Sequence, residues 1–278
     1  MPQSTNPNVI LDVRNLSIDY RPLDAAPVQA VREVSFQLRQ GEVMGLVGES
    51  GCGKTTLMLG LMRLLPAGGR IVTGQVNFMG RDLMQLSEPE MNGVRWKNIS
   101  MIFQGAMNAL NPVHTVGRQI GEALLLHTDV RESAAIDARV LELLDLVGIA
   151  ASRKDQYPHQ YSGGMRQRAM IAMALACNPQ VVIADEPTTA LDVTIEAQIL
   201  ELLKDLQNEF GMAIMYISHD LAVVGGVADE IIVMYLGLVM EHASAEQLFE
   251  NPRHPYTQAL LRSIPTIDGT LEPGPAKN

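Results

Sequence analysis

Cysteine is scarce in this chain: Cys52 and Cys177 are the only two, too few and too far apart in sequence to frame a disulfide scaffold or a metal site. Long apolar runs are missing as well. The longest, Ile231 to Met240, contains Tyr235 and Gly237 and falls short of the roughly 20 residues of a membrane-spanning helix, so it reads as a pair of strands. The opening MPQSTNPN has neither a basic start nor an apolar stretch; no secretory signal is expected there, and the expected location is the cytosol. Basic charge is in deficit. With 21 Lys and Arg against 31 Asp and Glu, the formal net charge of -10 argues against nucleic acid as the main partner. No internal repeat is visible. Hydrophobic residues nonetheless make up 47% of the 278, enough to bury a large core in one or two domains.

Gly48 to Thr55, GESGCGKT, fills every fixed position of the phosphate-binding pattern G-x-x-x-x-G-K-[ST]. EVMGLV before it has the character of a short strand and TTLMLGLMRLL after it that of a helix, which is the context the motif requires. The expected nucleotide-binding residues are therefore Gly48, Ser50, Gly51, Cys52, Gly53, Lys54, Thr55 and Thr56. The amides from Ser50 to Thr56 wrap the phosphates, Lys54 reaches the β- and γ-phosphates, and the Thr55 hydroxyl ligates Mg²⁺. Cys52 has two readings: a thiolate favoured by the helix N-terminus and Lys54, or a small residue that fits the turn.

VVIADEP, Val181 to Pro187, is an apolar strand ending in two carboxylates, and a buried strand rarely ends so acidic without cause. Asp185 is placed to hold Mg²⁺ and Glu186 to orient or deprotonate an attacking water. His219 follows the apolar AIMYIS, at a strand's carboxyl end where open α/β sheets bind ligands, although a lone histidine there also suits a structural role.

YSGGMRQR, Tyr161 to Arg168, places Ser162, Gly163 and Gly164 before an Ala- and Met-rich helix that Asn178-Pro179 stops. A helix N-terminus with bare amides is an anion site, while a Ser cap followed by a glycine turn accounts for the same letters.

With these motifs in this order, residues 9 to 241 resemble the ATP-binding cassette family, the nucleotide-binding subunits of ABC transporters. The resemblance makes GESGCGKT the Walker A motif, Gln104 of IFQ the Q-loop, YSGGM the signature, VVIADEP the Walker B motif, TTALD (188 to 192) the D-loop and His219 the H-loop histidine. Tyr161 and Met165 stand where the broad family has Leu and Gln. Tyr20, 28 positions before Gly48, is the candidate adenine-stacking aromatic, and a half-buried strand Tyr is its other reading. The fold class implied is an α/β P-loop NTPase core with a mixed or parallel sheet, an N-terminal antiparallel β portion and a helical insertion.

Strands are expected near 9 to 20, 29 to 38 and 71 to 78, and helices at 116 to 127 and 133 to 147. The later core follows from Val181 to Ala184, a helix carrying Ile195, Ile199, Leu202, Leu203 and Leu206, and strands Ala213 to Ser218 and Glu230 to Tyr235. The expected division is a nucleotide-binding domain over 1-241, with its helical insertion at about 105-178, and a C-terminal extension over 242-278 ending in a loose tail. Met101, Met107 and Met165 suit either core filling or an adaptable surface for a membrane-subunit helix.

A narrower resemblance is to the peptide/nickel importer branch. It is carried by IFQGAMNALNP (102 to 112), YPHQYSGGMRQR (157 to 168) and NPRHPYTQALLRSIP (251 to 265). Relatives there often add a Cys-rich stretch for an iron–sulfur cluster; no Cys follows Cys177, so no such cluster is expected. The resemblance implies an ATP- and Mg²⁺-dependent importer subunit at the cytoplasmic face of the membrane, with Lys54, Gln104, Glu186 and His219 catalytic and Thr55, Gln104 and Asp185 at the metal. Its implied partners are integral membrane permease subunits, a second ATP-binding subunit, identical or homologous, and indirectly an extracytoplasmic substrate-binding protein, with no nucleic acid. Oligopeptides or dipeptides are the expected cargo, with nickel or sugar as the alternatives. Non-transport cassettes carry heptads or zinc insertions between the P-loop and the signature, and translation-factor cassettes a second P-loop; this chain has neither. A purely structural module would not need Asp185, Glu186 and His219 together.

Overall fold

The computed structural model describes residues 8–21, 26–105, 109–189 and 191–264. The chain opens with β1 (Val9–Tyr20), β2 (Val28–Arg39), β3 (Val43–Val47), α1 (Lys54–Leu61), β4 (Gly69–Phe78), β5 (Arg81–Asp82) and α2 (Glu88–Val94). It continues through β6 (Ile99–Ile102), α3 (Val116–His127), α4 (Ser133–Leu146), α5 (Gly163–Ala174), β7 (Val181–Asp185), α6 (Val193–Phe210) and β8 (Ala213–Ser218). It closes with α7 (Leu221–Gly225), β9 (Glu230–Tyr235), β10 (Leu238–Ser244), α8 (Ala245–Glu250) and α9 (Pro255–Arg262). These elements fall into two compact units, Met1–Gln85 with Met215–Asn278, and Leu86–Ile214.

In the first unit β1 pairs antiparallel with β2 and with β4, and β5 extends β4. Leu11, Val13, Leu16 and Ile18 of β1 are buried with Val31, Val34, Phe36 and Leu38 of β2; β2 alternates as a strand with one covered face does, whereas β1 also buries Ile10 and Asp12. β3 is buried along its whole length, as VMGLV signals, and pairs parallel with β9, which turns back antiparallel into β10. The turn residues Leu236 and Gly237 both have positive φ, 47° and 83°, the backbone of a tight two-residue hairpin. The run Ile231 to Met240 is thus the expected strand pair.

The helix after the glycine loop is shorter than TTLMLGLMRLL suggests. α1 ends at Leu61 because Arg63 takes φ 53°, so that its N–H donates to Gly60 O and the Leu64 N–H to Leu59 O, a left-handed helix stop made without glycine. The Arg63 guanidinium anchors it by donating to Leu83 O at 3.2 Å.

The second unit packs α3, α4 and α5 together. Val116, Ile120 and Leu124 of α3 and Val140, Leu143 and Leu144 of α4 are buried, and a side chain at Gly121 would come within 3.1 Å of Ile136. α4 ends as its sequence predicts, with Gly148 at φ 71°. α5 ends at Ala174, one turn before Asn178-Pro179. β6 and β7, all buried, pair in parallel. α6 is capped by Asp192, whose side chain accepts from the Ile195 N–H at 3.0 Å. It buries Ile199, Leu203 and Leu206 and leaves Ile195 and Leu202 half-buried.

Candidate nucleotide site

The first unit holds the glycine loop between β3 and α1. Gly51 and Gly53 take φ 81° and 107°, and a Cβ on Gly53 would lie 2.3 Å from Ala30 O, so backbone conformation and space both demand glycine there. Lys54, the first residue of α1, is buried and turns its Nζ onto Gly48 O at 2.6 Å and Glu49 O at 3.0 Å. No side chain caps α1. A buried ammonium beside an uncapped helix start fits the phosphates of a nucleotide and does not fit a cation. Cys52 is 4% exposed and lies against Gly48, where a Cβ would be 2.7 Å from its Sγ; this burial agrees with the reading of a small residue that fits the turn. Thr55 is exposed on the first turn.

Tyr20 ends β1 half-buried, and its ring crosses Gly69, where a Cβ would lie 2.9 Å from Cε1. The following Pro22 to Ala25 lie outside the described residues. His219 is exposed directly after β8, and Asp220 caps α7 by accepting from the Ala222 and Val223 N–H groups. A cavity of about 250 Å³ is lined by His219 and Asp220 together with Leu260, Ser263 and Ile264 from the end of α9.

In the second unit β7 delivers Asp185, 4% exposed, and then Glu186 at φ 44°, a left-handed conformation that a non-glycine residue adopts under constraint. The constraint is visible in its partners. Glu186 Oε2 accepts from Gln104 Nε2 at 2.6 Å and from Thr189 Oγ1 at 2.9 Å. Gln104, two residues beyond β6, thus meets the carboxylate, a contact that the sequence reading did not specify. Thr189 was named only within TTALD; a hydroxyl three residues past Glu186, in turn geometry, is the signal that gives it this role. Ala190 of the same segment is outside the described residues, as are Ala106 to Asn108 after Gln104.

Ser162 caps α5, accepting from the Met165 N–H at 3.3 Å, and Gly163 and Gly164 form the first helical turn. A Cβ on Gly164 would sit 2.8 Å from Ile195 Cγ2, whereas one on Gly163 would make an ordinary 3.6 Å contact with Leu191. Tyr161 is buried, its hydroxyl donating to Arg153 O at 2.9 Å, and burial raises its pKa. Arg166 Nε donates to Pro158 O at 2.7 Å, which ties the same segment down again. Met101 is core, Met165 is half-buried and Met107 is outside the described residues. Among the described residues no helix is long and apolar enough to cross a membrane.

A glycine loop on a buried strand, a buried lysine opening the next helix and a carboxylate-ended strand define a nucleotide-hydrolysing protein of the P-loop class. Residues 31–189, more than half of the chain, match the family model described as ABC transporter, and the chain belongs to that family. Residues 240–277 match the oligopeptide/dipeptide transporter C-terminal region. The chain is 51% identical over 270 residues to the probable peptide ABC transporter ATP-binding protein y4tR of Sinorhizobium fredii, covering 95% of this chain and 80% of the relative. It is 50% identical over 266 residues to the oligopeptide transport ATP-binding protein OppD of Bacillus subtilis, covering 95% and 74%. Among solved structures, the ATP-binding cassette MJ0796, a dimer in a post-hydrolysis state bound to ADP and phosphate, has a TM-score of 0.75 at 27% identity over 84% of this chain and 98% of its own. CbiO1 of Clostridium perfringens, part of the ABC transporter complex cbiONQ, has 0.76 at 27% over 88% and 92%. The fold is the α/β cassette, and the chain is an ATP-hydrolysing transporter subunit.

Proposed function

We propose that this subunit powers the import of oligopeptides or dipeptides from the cytoplasmic face of the cell membrane, docked on integral permease subunits and served indirectly by an extracytoplasmic substrate-binding protein. The match of residues 240–277 and the names of the relatives support the cargo class. In this reading residues 1–241 form the cassette and 242–278 the branch-specific extension.

The observation that carries the hydrolytic role is Glu186, held by Gln104 and Thr189 through one carboxylate oxygen, 2.6 and 2.9 Å away. Two neutral donors fix its orientation while it remains an acceptor for the proton of an attacking water. Bound MgATP supplies the phosphoanhydride and the neutralising cation, with Thr55, Asp185 and Gln104 as the groups that would hold Mg²⁺. Lys54 compensates phosphate charge, the amides of Gly48 and of Ser50 to Thr56 supply donors, Tyr20 faces the base, and His219 hydrogen-bonds near the γ-phosphate. Ser162, Gly163 and Gly164 act on the nucleotide of a second cassette, identical or homologous, and the dimeric relative supports this pairing.

Glu186→Gln is expected to retain ATP binding and lower turnover by ~10²- to 10⁴-fold. Steady-state phosphate release beside a nucleotide titration checks this, and unchanged turnover overturns the assignment.

A further inference from the structure

Helix α9 is short and thinly attached. Its 8 residues fall below the roughly 12–15 that an isolated helix needs in water, and of them Thr257 alone is buried, so the helix stands where its anchors hold it. Those anchors gather at its start. The Arg253 and His254 N–H groups donate to Glu241 Oε1 and Oε2 at 2.7 and 3.0 Å, two charge-assisted bonds that occupy both oxygens of one carboxylate. The Tyr256 N–H donates to His254 Nδ1 at 3.1 Å, and the Tyr256 ring lies on Tyr235 with centroids 4.7 Å apart. Gln258 Nε2 donates to Pro252 O at 2.9 Å.

The other end of the helix reaches the nucleotide site. At about 1.5 Å per residue, Pro255–Arg262 carries the chain about 12 Å from the clamp. There Leu260, half-buried, shares with Ser263 and Ile264 the lining of the cavity of about 250 Å³ whose remaining lining is His219, Asp220, Leu221 and Ala222. The His219 side of that cavity is fixed by its own turn: the Asp220 N–H donates to Ser218 Oγ at 3.0 Å, and the Asp220 carboxylate accepts from the Ala222 N–H at 2.8 Å. The α9 side inherits its position from the clamp at Glu241.

We propose that Glu241 is a positioning residue for His219: by fixing the start of α9 it fixes the part of the His219 cavity that α9 supplies, and the C-terminal extension thereby sets the orientation of that histidine. The inference deepens the reading of His219 as a nucleotide-site residue and, for its effect on turnover, rests on it. NMR of the histidine rings in the nucleotide-free full chain reads the orientation without reference to catalysis. Glu241→Ala is expected to shift or broaden the His219 ring signals, assigned with His219→Gln, while those of His114, His127 and His159 in Leu86–Ile214 stay in place. Leu260→Ala leaves the clamp intact and alters the cavity end alone; it is expected to move the same His219 signals, and it decides the matter if Glu241→Ala does not fold. In steady-state phosphate release Glu241→Ala is expected to lower kcat by up to ~10²-fold, the cost of a misplacement on the order of 1 Å, with KM for ATP within about twofold. Glu241→Gln keeps one acceptor oxygen and is expected to fall between. Unmoved His219 signals in both alanine variants overturn the proposal. So does movement of the His114, His127 and His159 signals along with that of His219, because it marks a general structural role. Moved His219 signals with unchanged turnover strike the nucleotide reading of His219 and leave its positioning by Glu241 in place, so the two failures are distinguishable.

Discussion

The starts of α1 and α5 both carry glycine, and they are built in opposite ways. α1 leaves Gly53 at φ 107° with no side-chain cap, while α5 leaves an extended Ser162 whose hydroxyl accepts from the Met165 N–H. At the first, the protein's own backbone demands the glycines: Ala30 O fills the space beside Gly53 and Met234 O that beside Gly48. At the second the demand is split, with Gly164 required by Ile195 and Gly163 left with room to spare. At one start close backbone approach accounts for Gly48 and Gly53; the other carries a glycine, Gly163, for which its own unit gives no packing reason. That difference fits a loop that binds phosphate in cis and a turn that acts on a partner's nucleotide.

The largest expected effect tests the comparison directly. Lys54→Ala and Gly163→Asp should each abolish ATPase activity in a homodimer, the first by removing charge compensation and the second by adding bulk and a carboxylate beside phosphate. Mixing the two variants gives dimers with one doubly damaged and one intact site, so partial recovery is expected; none, with exchange confirmed, refutes shared sites in a homodimer. If the partner is a different cassette, occlusion measured site by site should show the two lesions in different sites. Next in size, Gly53→Ala should cost at least about 1–3 kcal/mol in chemical denaturation through its backbone strain. Gly163→Ala should leave stability unchanged or raise it by up to about 1 kcal/mol. Equal losses at both positions would erase the contrast. The smallest effect is Ser162→Ala, expected to cost about 1 kcal/mol through the lost cap, and an unshifted denaturation midpoint would show that the cap does not stabilise α5.

What was legible in the sequence was what the chain encodes locally. Gly148 announces the end of α4 because glycine enters the left-handed region freely, and the structure ends it there. The same helix stop at Arg63 was illegible: arginine carries no such signal, and its anchor, Leu83 O, lies on another element. The capping box of Ser87 and Glu90 ahead of α2 was present in the letters but gave no expectation of that helix. In the candidate site the strand end at Asp185 and Glu186 was readable from burial and charge alone. The grip of Gln104 and Thr189 on one oxygen of Glu186, and the seat of Tyr256 on Tyr235, depend on tertiary approach, which no periodicity encodes.

The first unit is assembled from two separated stretches of chain. Val43 N–H donates to the Asp229 carboxylate at 2.8 Å and Asp229 N–H to Val43 O at 2.8 Å, across 186 residues. At roughly 5–20 residues per second, β3 leaves the ribosome roughly 10–40 s before its parallel neighbour β9 exists. During that interval a five-residue strand destined for complete burial has no β9 edge to join, while the whole of Leu86–Ile214 is being made. Biosynthesis therefore leaves the strand that leads into the glycine loop without its parallel neighbour for longer than any local folding event lasts.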